Sequence, residues 1–198
     1  LLFWCETART LMTIDVENFR NRRNDARWNR VSVGDVIERM TWNEPGKVAF
    51  IATPEATVDP AYARVTYSEA NDVINRVANA LLALNLPRAS RIAMLCDNSN
   101  EAWLAKVGVA KAGLVAAPIN VMMASDVIAE ALQRVGAQHA IVDQALWEPL
   151  EGTLALANIR PIVSIGGPPQ GRIPNFEEFM SEYGSDEPDV EIHGDDIW

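Results

Sequence analysis

Cysteine and histidine are scarce in this chain: Cys5, Cys96, His139 and His193 are the only ones among 198 residues. No CxxC spacing joins the thiols and no pair of histidines stands at a ligand interval. This argues against a disulfide framework and against zinc, and it fits a reducing, cytoplasmic setting. His139 opens a stretch that reads as a strand, so a structural or solvent-facing role is expected for it. Two histidines and no nucleophile elbow leave no Ser/His/acid set to assemble. Basic residues are also short, 17 Lys and Arg against 27 Asp and Glu, for a formal charge of −10. Such a surface repels phosphate backbones and excludes nucleic acid as an expected partner. Long apolar runs are missing too; none approaches the ~20 residues of a membrane-spanning helix. Leu1-Leu2-Phe3-Trp4-Cys5 is too short for a signal peptide or an anchor.

What is present is an ordinary globular composition, 48% hydrophobic and 22% charged, long enough for one domain with a sizeable core. Residues 1–30 have mixed periodicity and are treated as an N-terminal extension; residues 31–198 form the α/β unit. The extension holds Arg20, Arg22, Arg23, Arg27 and Arg30, interleaved with Asp25 and Trp28. A solvated helix is one reading of that cluster. A contact with anionic lipid, CoA phosphate or a partner is the other. Leu1 in place of a methionine, and closing residues that read as the start of a strand, lead us to expect the front portion of a longer chain.

From residue 32 helix and strand signals alternate. Ser32-Val33-Gly34-Asp35 predicts a capped helix start, followed by Val33, Val36, Ile37 and Met40 at helical spacing. Residues 47–52 read as a short strand, and 53–63, with Pro54, Asp59 and Pro60, as a turn-rich connection or hairpin loop. Thr66-Tyr67-Ser68-Glu69 fits a capping box, after which Ala70, Val73, Ile74, Val77, Leu81 and Leu84 share one helix face. Residues 91–96 form a nearly continuous apolar run, as expected of a strand covered on both faces. Asn98-Ser99-Asn100-Glu101 caps a further helix. Strands are predicted at 114–120, 140–142 and 161–165, with helices from Ser125 to the Gly136 stop, across 144–157 despite Pro149, and from Asn175. The fold class is therefore α/β, a mostly parallel sheet with helices on both faces. The acidic tail, including 185–189, reads as an exposed surface loop.

Several features imitate chemistry without supplying it. Gly166-Gly167-Pro168-Pro169-Gln170-Gly171 looks like a phosphate loop, but two prolines remove amide donors and no Lys-Ser/Thr pair follows. A surface turn is the expectation. Gly108 and Gly113 do not fit a dinucleotide pattern, and Gly113 reads as a helix C-cap or a close helix–strand contact. Glu177-Glu178 and Asp195-Asp196 are adjacent carboxylates that default to solvated surface. No catalytic residue and no metal ligand is assigned.

Three elements taken in order resemble a known family. Val65-Thr66-Tyr67-Ser68-Glu69 looks like an early Thr-Tyr-x-Glu element. Residues 91–101 resemble a buried strand ending at Asn98-Ser99 before a capped helix. Lys111-Ala112-Gly113 through Pro118-Ile119-Asn120 resembles a Lys-x-Gly-x-x-x-x-Pro-x-Asn element. Together, over roughly residues 32–165, they are similar to the opening of AMP-forming acyl-CoA synthetases, of the adenylate-forming superfamily. Leu86-Pro87-Arg88-Ala89-Ser90 departs from the family, which has a glycine-containing turn there. The resemblance implies an enzyme that activates a carboxylic acid, such as a fatty acid, using ATP, CoA and Mg²⁺. It also implies that the Ser/Thr/Gly-rich phosphate loop and the catalytic lysine lie beyond Trp198, since His193-Gly194-Asp195-Asp196-Ile197-Trp198 resembles the lead into that loop. This chain alone is then expected to be inactive and to bind no cofactor tightly. In open parallel sheets ligands sit beyond the carboxyl ends of the strands. The loops after Cys96 and Ile119 are accordingly the candidate cleft walls, with Asn98, Asn120 and Met122 as candidates. Their structural alternatives are a helix cap, a loop hydrogen-bonder and a packing residue. Peripheral membrane contact and homo-oligomerisation are left open. A stand-alone interaction module, and an adenylating domain with another acceptor, are the competing readings.

Overall fold

A computed structural model describes residues 31–167, 171, 173–194 and 196–198. The expected extension and its arginine cluster lie outside the described residues. Helix α1 (Val33–Asn43) begins as expected. The Ser32 hydroxyl accepts the Asp35 amide, and the Asp35 carboxylate accepts the Ser32 amide at 2.6 Å. Strands β1 (Val48–Ile51) and β2 (Arg64–Thr66) form a separate antiparallel pair. Between them lie two short 3₁₀ turns, each opened by a proline. Helix α2 (Tyr67–Ala83) carries the predicted capping box between Thr66 and Glu69.

Then β3 (Arg91–Leu95), α3 (Asn100–Lys111), β4 (Val115–Pro118), α4 (Ser125–Val135), β5 (His139–Asp143), α5 (Gln144–Leu156) and β6 (Arg160–Ile165) alternate, before a short α6 (Phe176–Met180). The four strands β3 to β6 pair in parallel in the order β4-β3-β5-β6. The period of two along β3 divides the core. Ile92 and Met94 pack with residues of α1, α2, α3 and α6, whereas Ala93 and Leu95 pack with α4 and α5. Helices therefore cover both faces, and the expected fold class is what the structure has.

A close helix contact explains one glycine. A Cβ on Gly108 would stand 2.6 Å from a methyl of Val77, so α3 lies against α2 only because that atom is missing. Gly136 ends α4 at φ +68, as expected of a left-handed C-cap. Pro149 sits inside α5 without breaking it.

One local expectation is corrected, and two segments gain detail. Asn98 is not the cap of α3; Ser99 is, its hydroxyl accepting the Ala102 amide at 3.1 Å. The turn before β3, which lacks a glycine, puts Ala89 at φ +60, fastened by its amide to the Gly113 carbonyl at 2.9 Å. The acidic tail does more than cross the surface. Asn75 and Asn79 donate to the carbonyls of Gly184, Ser185 and Asp186, and Asn71 donates to Glu187. Three asparagines spaced four apart on α2 thus hold an extended strap by its backbone and one carboxylate.

Candidate functional site

Strand order decides where a cleft can form. From β3 the chain moves to β4 on one side, then crosses back to β5 on the other, so β3 and β5 are neighbours whose connections diverge. In open parallel sheets such a reversal leaves a crevice beyond the strand ends. Here Asp143, the last residue of β5, stands at that point: one carboxylate oxygen accepts the Asp97 amide, and the other is buried without a partner among the described residues. Burial, partly offset by that amide, pushes the Asp143 carboxyl up to about 6. Beside it, burial and then the Asp143 charge push the Cys96 thiol well above its ordinary value, so Cys96 is no thiolate nucleophile.

The open space lies next to Asp143, at the carboxyl ends of β3 and β4. A cleft of about 920 Å³ is lined by the loop after β3, the loop after β4 and the β1 end of the hairpin. Asn98, Asn120 and Met122 all line it, so the structure brings the three sequence candidates into one wall system. The Asn120 side chain accepts the Met122 amide at 2.9 Å and shapes the loop. Met122 is 87% exposed, which removes packing as its role. The opposite wall is aromatic: Phe50 and Trp103 meet in a tilted pair with ring centroids 4.5 Å apart. Lys106 is the one cation among the described lining residues, and its ammonium lies 5.1 Å from the centre of the Trp198 ring. A cleft of mixed apolar and neutral polar lining, with Asp97 opposing its one cation, suits an organic molecule better than a polyphosphate.

Two buried charges escaped the sequence reading. The Lys111 side chain is 3% exposed and its ammonium meets Glu38 at 3.0 Å, Asn75 at 2.7 Å, Asn71, and Glu187 of the strap. Burial raises the Glu38 carboxyl against the pull of Lys111. At Glu187 burial acts the same way but is outweighed by bonds from Lys111, Asn71 and Asn75, which leave it lowered. The asparagine stripe on α2 was the legible signal, since three amides at one helical spacing need polar partners. The second is Glu101, 2% exposed, whose carboxylate accepts the Val58 and Asp59 amides at 2.8 and 2.9 Å. As the fourth residue of a cap motif it is indistinguishable in sequence from an ordinary N-terminal helix acid.

His193 Nε2 stands 3.3 Å from the Glu191 carboxylate, but among the described residues no group of three or more His, Cys, Asp or Glu could hold a metal ion. Of the paired carboxylates, Glu178 completes the capping box of α6 by accepting the Asn175 amide, while Glu177 accepts the Tyr62 hydroxyl at 2.6 Å. Gly166, Gly167 and Gly171 all adopt positive φ, as a turn requires. No helix among the described residues is long and apolar enough to cross a membrane.

Long-chain-fatty-acid–CoA ligase FadD13 of Mycobacterium tuberculosis (strain ATCC 25618 / H37Rv) is 32% identical over 145 residues, covering 72% of this chain and 28% of its own. The N-terminal domain of FACL13 from Mycobacterium tuberculosis superposes with a TM-score of 0.66 at 27% identity, covering 84% of this chain and 40% of that one. The anthranilate CoA ligase AuaEII, solved in complex with anthranoyl-AMP, shares the fold with a TM-score of 0.71 at 23% identity, over 85% of this chain and 31% of that one. The chain thus spans less than half the length of each. A family model described as AMP-binding enzyme matches residues 38–197. That match takes in every described strand of the parallel sheet and both cleft loops, and this chain belongs to the AMP-binding enzyme family.

Proposed function

We propose that this chain is part of an ATP-dependent acyl-CoA ligase that activates a carboxylic acid, a fatty acid in the first instance. The observation that carries the reading is the 32% identity to a long-chain-fatty-acid–CoA ligase across 72% of the chain. In the whole protein the acid carboxylate attacks ATP to form an acyl-adenylate and pyrophosphate, and the CoA thiol then displaces AMP. The family match leaves the stand-alone interaction module without support.

The described residues do not fit the phosphates of ATP or Mg²⁺. The cleft offers them Lys106 alone, already over an indole ring, and no cluster of metal-ligating side chains stands anywhere among the described residues. No chemical step is therefore assigned to this chain. Its proposed contribution is a wall, with Asn98, Asn120 and Met122 shaping the space beside the sheet ends. The buried Asp143 ties the start of the loop after β3 to the end of β5 by accepting the Asp97 amide.

ATP–pyrophosphate exchange tests both parts of this reading. The isolated chain gives no exchange above background with any of a panel of fatty and aromatic acids. The longer protein that contains it gives exchange with fatty acids. Turnover by the isolated chain overturns the placement of the chemistry elsewhere. A longer protein that responds only to aromatic acids overturns the substrate class.

A further inference from the structure

The connection between β1 and β2 has two halves with different neighbours. Ala52, Thr53 and Ala56 face the larger cleft and continue the wall begun by Phe50 and Ile51. Val58, Asp59, Pro60 and Tyr62 line a separate, smaller cavity against the start of α3, α6 and the turn after β6. The side-chain fasteners are on this far half. One Glu101 oxygen accepts the Val58 and Asp59 amides at 2.8 and 2.9 Å, from 43 and 42 residues earlier in the chain. The Asn100 side chain donates to the Tyr62 carbonyl at 2.7 Å, and the Tyr62 hydroxyl donates to Glu177 of α6 at 2.6 Å. Val58 is pressed on Gly166, where a Cβ would stand 2.5 Å from its methyl. An acid in the first turn of a helix is ordinarily solvated, yet Glu101 is 2% exposed. Burying a carboxylate to hold two loop amides fixes position more than it adds stability.

We propose that Glu101 and Tyr62 are positioning residues for the acid substrate: by holding the far half of the connection they fix its near half and the end of β1 across from Asn120 and Met122, and so set the width of cleft offered to the hydrocarbon of the acid. This rests on the ligase reading and adds which residues outside the cleft govern the size of acid it takes. Neither Glu101 nor Tyr62 lines the larger cleft, so an effect on substrate choice must travel through the connection. The connection can carry it because it has little slack. Pro54 and Pro60 each open a 3₁₀ turn with a fixed φ, and the Ala52 and Ala56 amides are bonded to the Ala63 and Thr53 carbonyls. The first turns of α3 are the common base. Glu101 holds the connection there, and Trp103, two residues on, meets the Phe50 ring of the cleft wall at 4.5 Å. Release of the far half therefore frees Phe50 to move from Trp103 and widens the cleft.

Hydrogen exchange on this chain and kinetics on the longer protein that contains it test the proposal together. In Glu101→Ala the Ala52 and Ala56 amides exchange faster, while those of β3 to β6 keep wild-type rates. Glu101→Gln still accepts both loop amides and keeps exchange slow. In the longer protein Glu101→Ala raises KM for the preferred acid about tenfold, the value of one hydrogen bond to a charge, and holds kcat within about twofold. Its preference among acids of increasing length flattens, and Glu101→Gln restores both KM and preference. Tyr62→Phe keeps the ring and loses only the hydroxyl. It moves the same quantities less far in the same direction, and it decides the matter where Glu101→Ala folds poorly. A fall in kcat at unchanged KM overturns the positioning role and leaves the ligase reading standing. So do Ala52 and Ala56 amides that keep wild-type exchange in both Glu101→Ala and Tyr62→Phe. A wild-type longer protein with no acid-dependent pyrophosphate exchange overturns the ligase reading, and the role in acid selection with it.

Discussion

Ala89 shows how a single backbone angle can be read once the fold is known. It stands at φ +60, a region where a Cβ costs roughly 1–2 kcal/mol. The strain is held by the bond from its amide to the Gly113 carbonyl. Ala89→Gly is expected to raise stability by about 1 kcal/mol, a gain of a few degrees in Tm for a chain of this size. Calorimetry that finds the variant less stable would sink that account. Asp143 makes a different kind of statement. Its folded carboxyl is raised to about 6, above the ordinary value of 3.8, so the folded state binds its proton more tightly. Between about pH 4 and pH 6 the folded chain carries more protons at this site than the unfolded chain. The site's contribution to stability therefore falls as pH rises through that window and is flat above it. In urea melts the stability of Asp143→Asn relative to wild type should rise as pH climbs from about 4 to 7. A constant gap across that range would contradict the buried-acid account.

At the scale of elements, the three boxed helix starts at Ser32, Thr66 and Asn175 are local chemistry, and sequence spacing located each of them. The start of α3 was displaced by one residue, because Asn98 and Ser99 are both good caps and only the path of the preceding loop chooses between them. Lys111 was quoted as part of a motif, yet no neighbour in sequence reveals its partners. Glu38, Asn71, Asn75 and Glu187 come from α1, α2 and the strap. Removing the ammonium leaves two carboxylates and two amides facing one another. Lys111→Met should cost about 3 kcal/mol, the usual result of breaking a buried pair. Glu187→Gln, at the exposed end, should cost far less while speeding amide exchange at 184–187. Equal losses from the two substitutions would show that the strap, and not the buried cation, holds the helices together.

For the whole molecule, the face around the larger cleft is the consequential surface. Ile51 is 70% exposed and Met122 87%, with Trp103 and Phe50 beside them. An apolar patch of this kind on a globular body invites association. Sedimentation velocity should show reversible, concentration-dependent self-association of the chain, and the double substitution Ile51→Ser, Met122→Ser should shift it toward monomer. A wild-type chain that stays monomeric throughout would mean the cleft face is satisfied without a neighbour.

Sequence alone determined the alternation of helices and strands, the covered parallel sheet and the resemblance to acyl-CoA synthetases. These follow from periods of 3.6 and 2, from caps and from turn residues, all of which act over a few positions. It also singled out Asn98, Asn120 and Met122, because loops that follow parallel strands must emerge on one side of the sheet. Only the tertiary structure decided that these three share one cleft, that Asp143 is buried at the strand reversal on the Asp97 amide, and that Glu101 fastens the hairpin connection through the Val58 and Asp59 amides. The physical reason is range. A carboxylate's burial, its partners and its proton affinity are set by groups tens of residues away, which local pattern does not encode.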